Sequence, residues 1–365
     1  MHDLYKETSI FGRYVTLNHL TEKWLQNVPP LNIRPLGKSV QGKEIFALQF
    51  GTGEHKILMW SQMHGNESTT TKAVIDLVNL LNSGDALAQK ILNTCQLQII
   101  PILNPDGAEA YTRVNANEVD LNRDARECSQ PETEILWECF RAFQPDFCFN
   151  LHDQRTLFNV GGSNKVASVS FLSPASNAER SLTPNRIQAM KLIVGMNDKL
   201  QQEIPGQVGR YDDAFNANCI GDSFQMEGVP TVLFEAGHYP QDYQRESTRR
   251  LIFNALLESL ELISNRSLDD FSDSDYFKIP ENEKQFYDVL IRNVDVVNPN
   301  IESGHDIGIR FAETLSENVI QFIPKIEEVG LLPEFFGHLE LNLTKAEDFD
   351  TLSSHQDILE LIVKI

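Results

Sequence analysis

Short apolar runs alternate with longer amphipathic stretches over most of this chain, and this alternation constrains its fold more than any other feature. The apolar runs are typical of buried strands and cover residues 56–63, 95–104, 146–153 and 230–238. The other stretches have a helical spacing of apolar residues and cover residues 68–81, 131–143, 185–202 and 242–262. Strands that alternate with helices predict an α/β fold, in which a mixed, largely parallel sheet is sandwiched by helices.

The pattern changes near residue 265, which indicates a second module. Residues 265–275 are polar and acidic and have the composition of a linker. Beyond them, short β-rich runs are separated by Gly, Pro and Asn, as in a small all-β domain. We therefore predict a larger α/β domain over residues 1–268 and a small β-rich C-terminal domain of unknown role over residues 276–365.

The chain is acidic, with 31 Lys and Arg against 52 Asp and Glu and a net charge of −21. This charge argues against a nucleic-acid partner and against binding to an anionic membrane surface. Residues 270–365 hold 20 of the acidic residues and only 7 of the basic ones. We therefore expect most of the excess acid to lie away from the catalytic motifs described below.

Composition also bears on where the protein is located and on which residues could bind a metal. No apolar run reaches the ~18 residues of a membrane span, and the N-terminus lacks a signal-like pattern. The five cysteines form no Cys-x-x-Cys pair, which argues against a disulfide framework and against a Cys-rich zinc site. We expect a soluble, cytoplasmic protein whose oligomeric state is open.

The most distinctive local motif, His64-Gly-Asn-Glu67, stands where a buried strand gives way to a helix. In a tight turn, residues three apart can direct both side chains to one point. An imidazole and a carboxylate are ligands that a catalytic zinc ion uses. Alone the motif is weak, because a surface His and a Glu favoured by a helix N-terminus give the same letters.

Polar residues at three further strand ends strengthen the motif. His152 and Glu235 each close an apolar run, and Asn104 closes a third. In an open parallel sheet, ligands bind beyond the carboxyl ends of the strands, so we expect these groups to converge on one edge. Two His and a Glu supply three zinc ligands and leave the fourth position for water, which is the geometry of a catalytic site.

The ordered set of motifs over residues 50–260 resembles the M14 family of zinc metallocarboxypeptidases. The matching parts, in chain order, are His64-x-x-Glu67, Asn104-Pro-Asp-Gly107, Arg113, Asp120-Leu-Asn122-Arg123, His152 and Glu235. The resemblance implies a zinc carboxypeptidase-like catalytic domain that hydrolyses a C-terminal or isopeptide-type amide bond. It also implies a peptide or peptide-like substrate with a free carboxylate.

The resemblance implies one Zn²⁺ per chain, held by His64, Glu67 and His152. Asp120 would accept a hydrogen bond from the second ring nitrogen of His64 and fix its tautomer. A turn or helix-cap aspartate is the alternative interpretation of Asp120.

The same resemblance assigns the proton transfer to Glu235, as general base and then general acid. Arg113 would stabilise the oxyanion of the tetrahedral intermediate. The alternatives are that Glu235 pairs with a nearby arginine and that Arg113 forms only a surface ion pair.

Asn122 and Arg123 would hold the terminal carboxylate of the substrate, since the planar guanidinium binds a carboxylate bidentately. Arg126 and Arg155 are the residues most easily confused with them. Asp124 departs from the family pattern, because a carboxylate beside this pair would weaken binding unless Arg126 neutralises it.

Two further residues match the family more loosely. Tyr211 stands 24 residues before Glu235 and corresponds to a substrate-binding tyrosine, although an ordinary loop aromatic is equally compatible. Asp222 lies in the segment that lines the side-chain pocket of the family. There it would favour a basic terminal side chain, or it could cap the following turn.

Two other functions compete with the peptidase interpretation. Amidohydrolases of the succinylglutamate desuccinylase/aspartoacylase type share a similar turn, an Asp-Leu-Asn-Arg motif and a small C-terminal β module. The sequence Asn104-Pro-Asp-Gly107 and the long gap from His152 to Glu235 favour the peptidase. A non-catalytic binding protein is disfavoured, because the ligands and the catalytic Glu are all present.

Overall fold

The computed structural model describes residues 1–364, which form fourteen strands and twelve α-helices. The strands are β1 (Ile33–Lys38), β2 (Glu44–Phe50), β3 (His55–Ser61), β4 (Cys95–Ile100), β5 (Phe147–Asp153), β6 (Asn159–Val160), β7 (Val169–Leu172), β8 (Val208–Arg210), β9 (Thr231–Ala236), β10 (Asn282–Glu283), β11 (Phe286–Arg292), β12 (Asp306–Ser316), β13 (Val319–Gly330) and β14 (Phe336–Asn342). The helices are α1 (His2–Tyr5), α2 (Leu17–Lys23), α3 (Thr69–Leu81), α4 (Ala86–Thr94), α5 (Pro105–Ala110), α6 (Pro131–Phe143), α7 (Pro184–Gln201), α8 (Ile220–Met226), α9 (Glu246–Asn265), α10 (Asp273–Tyr276), α11 (Ala346–Ser354) and α12 (Gln356–Val363).

Eight strands form one mixed sheet in the order β1-β2-β4-β3-β5-β9-β7-β8. The four central strands β4, β3, β5 and β9 run parallel, and the pair β7–β8 is also parallel. Antiparallel pairs join β1 to β2, β2 to β4 and β7 to β9. The mixed, largely parallel sheet predicted from the alternating pattern is confirmed.

Helices cover both faces of this sheet, and alternate residues of β3 show how. Ile57 and Met59 belong to a core that includes residues of α3, α4, α7 and α9. Leu58 and Trp60 belong to a second core that includes residues of α6 and α8. A strand buried on both faces must be apolar throughout, which explains the continuous apolar run that the sequence shows.

The last 80 residues contain a second sheet with the order β13-β12-β11-β14. The β-rich character predicted for this region is therefore present. Two helices that the sequence analysis did not predict, α11 and α12, pack on it through Leu352, Ile358 and Ile362. The module is thus α+β rather than all-β.

The polar segment after α9 is attached to the first module. Tyr276 is fully buried in the core under the large sheet, and its hydroxyl accepts a hydrogen bond from the Ser173 amide. The division into residues 1–268 and 276–365 remains a proposal. Among residues 1–364, no helix has both the length and the apolar character needed to cross a membrane.

Candidate active site

The His64–Glu67 turn follows β3 at the carboxyl end of the sheet, and its backbone permits only glycine at position 65. A Cβ atom on Gly65 would lie 1.9 Å from the carbonyl carbon of Gly107. Asn104 holds the two segments together, because its Nδ2 donates to the carbonyls of Met63 and Val114 at 3.2 Å each. The Asn-Pro-Asp-Gly motif therefore supports the turn that carries the candidate metal ligands.

The start of α3 is stabilised from a neighbouring strand. The Asp153 carboxylate, at the end of β5, accepts hydrogen bonds from the amides of Thr69 at 2.9 Å and Thr70 at 3.2 Å. A carboxylate at a helix N-terminus satisfies free amides and interacts well with the helix dipole. Ser68, the residue before α3, donates its hydroxyl to the carbonyl of Arg13 at 2.6 Å and does not cap the helix with its side chain.

His64, Glu67 and His152 bring three ligand atoms together. His64 Nδ1 lies 3.0 Å from Glu67 Oε1 and 3.0 Å from His152 Nδ1, and His152 Nδ1 lies 2.8 Å from Glu67 Oε2. The potential ligand atoms of the three residues all lie within 4.8 Å of one another. Two imidazole nitrogens that face one carboxylate at these distances form a compact cation site.

The chemistry of this cluster fits a metal ion. Burial lowers the pKa of His152, so its ring is held neutral as a ligand must be. Burial would also lower the pKa of His64, but the charge of Glu67 and the hydrogen bond with Asp120 raise it above its usual value. The carboxylates that favour a proton on His64 favour a metal cation at the same place.

Asp120 combines the two roles that the sequence left open. Its Oδ1 lies 3.0 Å from His64 Nε2 and also accepts a hydrogen bond from the Asn122 amide at 2.9 Å. Burial would raise the pKa of Asp120, but its hydrogen bonds with His64 and Arg113 hold that pKa well below its usual range. An ionised Asp120 can therefore orient the imidazole and cap the short 3₁₀ turn at once.

Glu235 lies beside the ligand cluster, because β5 and β9 run parallel with His152 opposite Glu235. Neighbours in register place their side chains on the same face of a sheet. Burial raises the pKa of Glu235 well above its usual value, and the charges of Glu67 and Asp153 raise it further. A carboxyl group with a raised pKa beside a candidate metal site is a stronger base than an ordinary carboxylate and is suited to proton transfer.

Arg113 reaches the same centre from the loop after α5. Its Nε donates to Asp120 Oδ2 at 3.0 Å and its Nη1 to Glu67 Oε1 at 3.2 Å. The side chain is 46% exposed, so part of the guanidinium remains accessible from the cavity that it lines.

Asn122 and Arg123 also line the cavity. Asn122 Oδ1 accepts the amide of Ile220 at 3.1 Å, which ties the 3₁₀ turn to the start of α8. Arg123 Nη1 donates to its neighbour's carbonyl at 2.7 Å and lies 3.1 Å from Cys219 Sγ. Cys219 lines the cavity beside this arginine.

The structure separates the two arginines that could be confused with Arg123. Arg155 is exposed and lines the cavity, whereas Arg126 is exposed and is not among the residues that line it. Asp124 is not among the residues that line the cavity with Asn122 and Arg123. It is buried and accepts hydrogen bonds from the amides of Ser129 and Gln130, so it stabilises the turn before α6.

Tyr211 and Asp222 both line the cavity. Burial raises the pKa of Tyr211 well above its usual value, and the charge of Glu235 adds to the effect, so the hydroxyl stays protonated. Burial raises the pKa of Asp222 to about 6. Asp222 Oδ1 also accepts the Asn216 amide at 3.2 Å, so it both faces the cavity and fixes a turn.

Apart from Asp120, the residues assigned above to metal binding, proton transfer and substrate binding all line one cavity of about 820 Å³. Part of its wall comes from the C-terminal module, chiefly from the β12–β13 hairpin. The hairpin residues that line it are Arg310, Phe311, Ala312, Glu313, Phe322, Lys325 and Glu327. The hairpin of the acidic module therefore lies over the catalytic motifs, which its composition did not suggest. Of the acidic residues of this module, Asp288, Glu313 and Glu327 line the cavity, so most of the excess acid lies elsewhere, as expected.

Arg13 and Arg245 are cavity residues that the sequence analysis did not identify. Both are buried, and Arg245 donates to the carbonyls of Ala236 and Gln154 at the ends of β9 and β5. Neither stands in a recognisable motif, because their role depends on contacts between segments distant in the sequence.

Comparison with known proteins places this site in context. The model of the zinc carboxypeptidase family, Peptidase M14, matches residues 21–225. Probable carboxypeptidase 2 of Arthroderma benhamiae is 30% identical over 101 residues, which cover 27% of this chain and 19% of that protein. Carboxypeptidase M of Mus musculus is 28% identical over 180 residues, which cover 42% of this chain and 40% of that protein. This chain thus matches less than half the length of either relative.

A solved structure shares the fold. The metallo-carboxypeptidase from Pseudomonas aeruginosa in complex with (2-guanidinoethylmercapto)succinic acid superimposes with a TM-score of 0.52. The two proteins are 20% identical, and the match covers 67% of each chain.

Proposed function

Because this chain belongs to the Peptidase M14 family of zinc carboxypeptidases, we propose that it is a zinc-dependent metallocarboxypeptidase that removes C-terminal residues from peptides or peptide-like amides. One observation carries the proposal. The ligand atoms of His64, Glu67 and His152 converge within 4.8 Å, and Glu235 stands opposite His152 on the next strand. Three ligands with a separate carboxyl group beside them are the arrangement of a catalytic rather than a structural zinc site.

In this proposal, His64, Glu67 and His152 hold one zinc ion per chain. When bound, zinc supplies Lewis acidity, which makes water a better nucleophile at neutral pH and polarises a carbonyl group. Asp120 keeps His64 in the tautomer that presents Nδ1, because it engages Nε2.

Glu235 would take the proton from the attacking water and deliver it to the nitrogen of the leaving amine. Its raised pKa supports both steps, because such a carboxylate is a stronger base toward water than an ordinary one and can return the proton as an acid. Arg113, held at the centre by Asp120 and Glu67, would stabilise the negative charge that develops on the carbonyl oxygen.

Asn122 and Arg123 would bind the terminal carboxylate and so restrict cleavage to the last residue. Asn122 uses its oxygen to hold α8, which leaves its Nδ2 to donate to a substrate. Tyr211 stays protonated and could donate its hydroxyl to the same ligand. Asp222 would face the terminal side chain and, when ionised, favour a basic one.

The test is product analysis by mass spectrometry with the zinc-loaded full chain. We expect peptides with a free C-terminus to lose their last residue, and the same peptides with an amidated C-terminus to remain intact, because Arg123 then has no carboxylate to bind. Internal cleavage would contradict the assignment. Activity confined to N-acyl amino acids would instead support an amidohydrolase of the desuccinylase/aspartoacylase type.

A further inference from the structure

The β12–β13 hairpin is fixed over the active-site cavity by buried polar contacts. Arg13, which is 4% exposed, donates from Nη2 to Glu313 Oε2 at 3.1 Å, and its Nη1 lies 2.9 Å from Glu313 Oε1. The Tyr111 hydroxyl also donates to Glu313. The carbonyl of Arg13 accepts the hydroxyl of Ser68, next to the candidate ligand Glu67. The hairpin is therefore linked to the metal-binding turn through a short series of contacts.

A second set of contacts holds the hairpin at Phe311 and Phe322, close to Glu313 in the ladder. The Tyr243 hydroxyl donates to Asp288 Oδ1 at 2.9 Å, and the Phe311 amide donates to Asp288 Oδ2 at 2.8 Å. The Tyr243 ring also packs against Phe322, with centroids 5.2 Å apart. Both sets of contacts hold the middle of the hairpin in place, so its side chains form a fixed wall of the cavity.

This wall carries two cations that face each other. Arg310 and Lys325 are direct partners in the antiparallel ladder between β12 and β13. Like charges placed directly opposite on a sheet are unfavourable. Among the ion pairs of residues 1–364, Arg310 has one, with Glu327 at 3.7 Å, and Lys325 has none. The positive charges of Arg310 and Lys325 are thus only weakly neutralised by carboxylates of residues 1–364.

The Arg310 guanidinium is held in position by an aromatic ring, but one of its nitrogens lacks a hydrogen-bond partner within residues 1–364. It lies over the Tyr287 ring at 5.0 Å from the centroid, which restricts its position. Its Nη1 is buried and has no hydrogen-bond partner within residues 1–364. Buried donors are nearly always paired, so an unpaired one on a cavity wall indicates a ligand group that would accept from it.

The acidic residues of the wall leave this donor free. Glu313 is engaged by Arg13 and Tyr111, and Asp288 by Tyr243 and a backbone amide. Glu327 approaches the other side of the Arg310 guanidinium, with its Oε1 at 3.7 Å from Nε, and does not reach Nη1. In a chain with a net charge of −21, this part of the cavity therefore presents unused positive charge.

We propose that Arg310 and Lys325 bind a second anionic group of the substrate, so that the enzyme prefers peptides with an acidic residue on the N-terminal side of the cleaved bond. This inference rests on the proposed function, in which Asn122 and Arg123 take the terminal carboxylate. In that function the terminal residue lies between Asn122, Arg123 and Asp222, none of which belongs to the hairpin. The wall formed by the hairpin then faces the remaining, acyl part of the substrate.

The test measures binding, so that it does not depend on turnover. Two fluorescent peptides that differ only by Glu or Gln before the terminal residue are titrated into the zinc-loaded Glu235→Gln chain, and anisotropy gives both Kd values. We expect the Glu peptide to bind about tenfold tighter, as a charge-assisted hydrogen bond allows. The ratio of the Kd of the Gln peptide to that of the Glu peptide should fall toward one at about 0.5 M salt, because salt screens exposed charges.

Variants of the hairpin then identify the residues responsible. In the Arg310→Gln/Lys325→Gln double variant we expect the ratio of the two Kd values to be near one. Lys325→Gln alone changes an exposed side chain, so the variant should fold normally, and we expect it to lower the ratio. Lys345→Gln, an exposed lysine of the same module outside the cavity, should leave it unchanged.

Equal binding of the two peptides, or an unchanged ratio in the double variant, would overturn the inference. If the ratio behaves as expected but the zinc-loaded wild-type chain cleaves neither peptide, the anion site stands and the proposed peptidase function fails.

Discussion

His152 and Glu235 are direct partners in the parallel ladder between β5 and β9. A candidate metal ligand and the candidate general base therefore lie side by side on neighbouring strands. Each residue ends an apolar run, and the sheet brings the two runs side by side. This relationship makes separate predictions possible: changes at His152 should affect metal binding, and changes at Glu235 should affect turnover alone.

Loss of one ligand should release the metal. We expect His152→Ala to bind zinc at least 100-fold more weakly than wild type, because only two of the three protein ligands remain. Metal analysis after dialysis against a chelator gives the zinc content. His55→Gln, at a histidine outside the cluster, is the matched control and should retain about one zinc per chain. Full zinc retention in His152→Ala would contradict the ligand assignment.

The carboxylate behind His64 should tune metal affinity without abolishing it. Because Asp120 Oδ1 lies 3.0 Å from His64 Nε2, we expect Asp120→Asn to weaken zinc binding about 10–100-fold. Competition with a chromophoric chelator measures this affinity. Asp124→Asn changes a nearby buried aspartate that faces another turn, and it should leave zinc affinity at the wild-type value.

The ion pair between the modules should matter for stability. Glu313→Gln leaves the buried Arg13 guanidinium without its counterion, and removal of one partner of a buried pair costs about 3 kcal/mol. Urea denaturation gives the free energy of unfolding. Glu334→Gln, at an exposed position of the same module, should change it by less than about 0.5 kcal/mol. Equal effects of the two variants would show that the modules do not depend on this contact.

Asp222 should make stability depend on pH. Its pKa is raised to about 6, so the group stabilises the fold when protonated, and this contribution is lost as the pH rises through about 6. We therefore expect Asp222→Asn to raise the free energy of unfolding at pH 7 by about 1–3 kcal/mol, and the gain to vanish near pH 4.

Urea denaturation across this pH range gives the comparison. Glu227→Gln, at an exposed position at the end of the same helix, serves as control and should show no such pH-dependent gain. A gain for Asp222→Asn that is independent of pH would contradict the assigned cause.

Much of the fold and of the metal cluster could be predicted from the sequence. Buried parallel strands are apolar on both faces, so β3, β5 and β9 are visible as runs, and their carboxyl ends must meet at one edge. His64, Glu67, His152 and Glu235 follow from this rule and from the family motifs.

The contribution of the C-terminal module could not be predicted in the same way. Glu313 pairs with Arg13 across 300 residues, and no local periodicity marks such a contact. Composition was misleading here, because the acidic module supplies the cations Arg310 and Lys325 to the cavity. The helices α11 and α12 were missed because they are short, although Ile358 and Ile362 of α12 have the i, i+4 spacing of a buried face.

The most direct test of the account is to measure zinc content and peptide turnover in Glu235→Gln. Because Glu235 lies beside the ligands without being one of them, we predict about one zinc per chain, as in wild type, and a loss of kcat of about 10²–10⁴-fold. A variant that keeps zinc and cleaves C-terminal residues at the wild-type rate would contradict the assigned role of Glu235. A variant that loses zinc would contradict its place outside the ligand set.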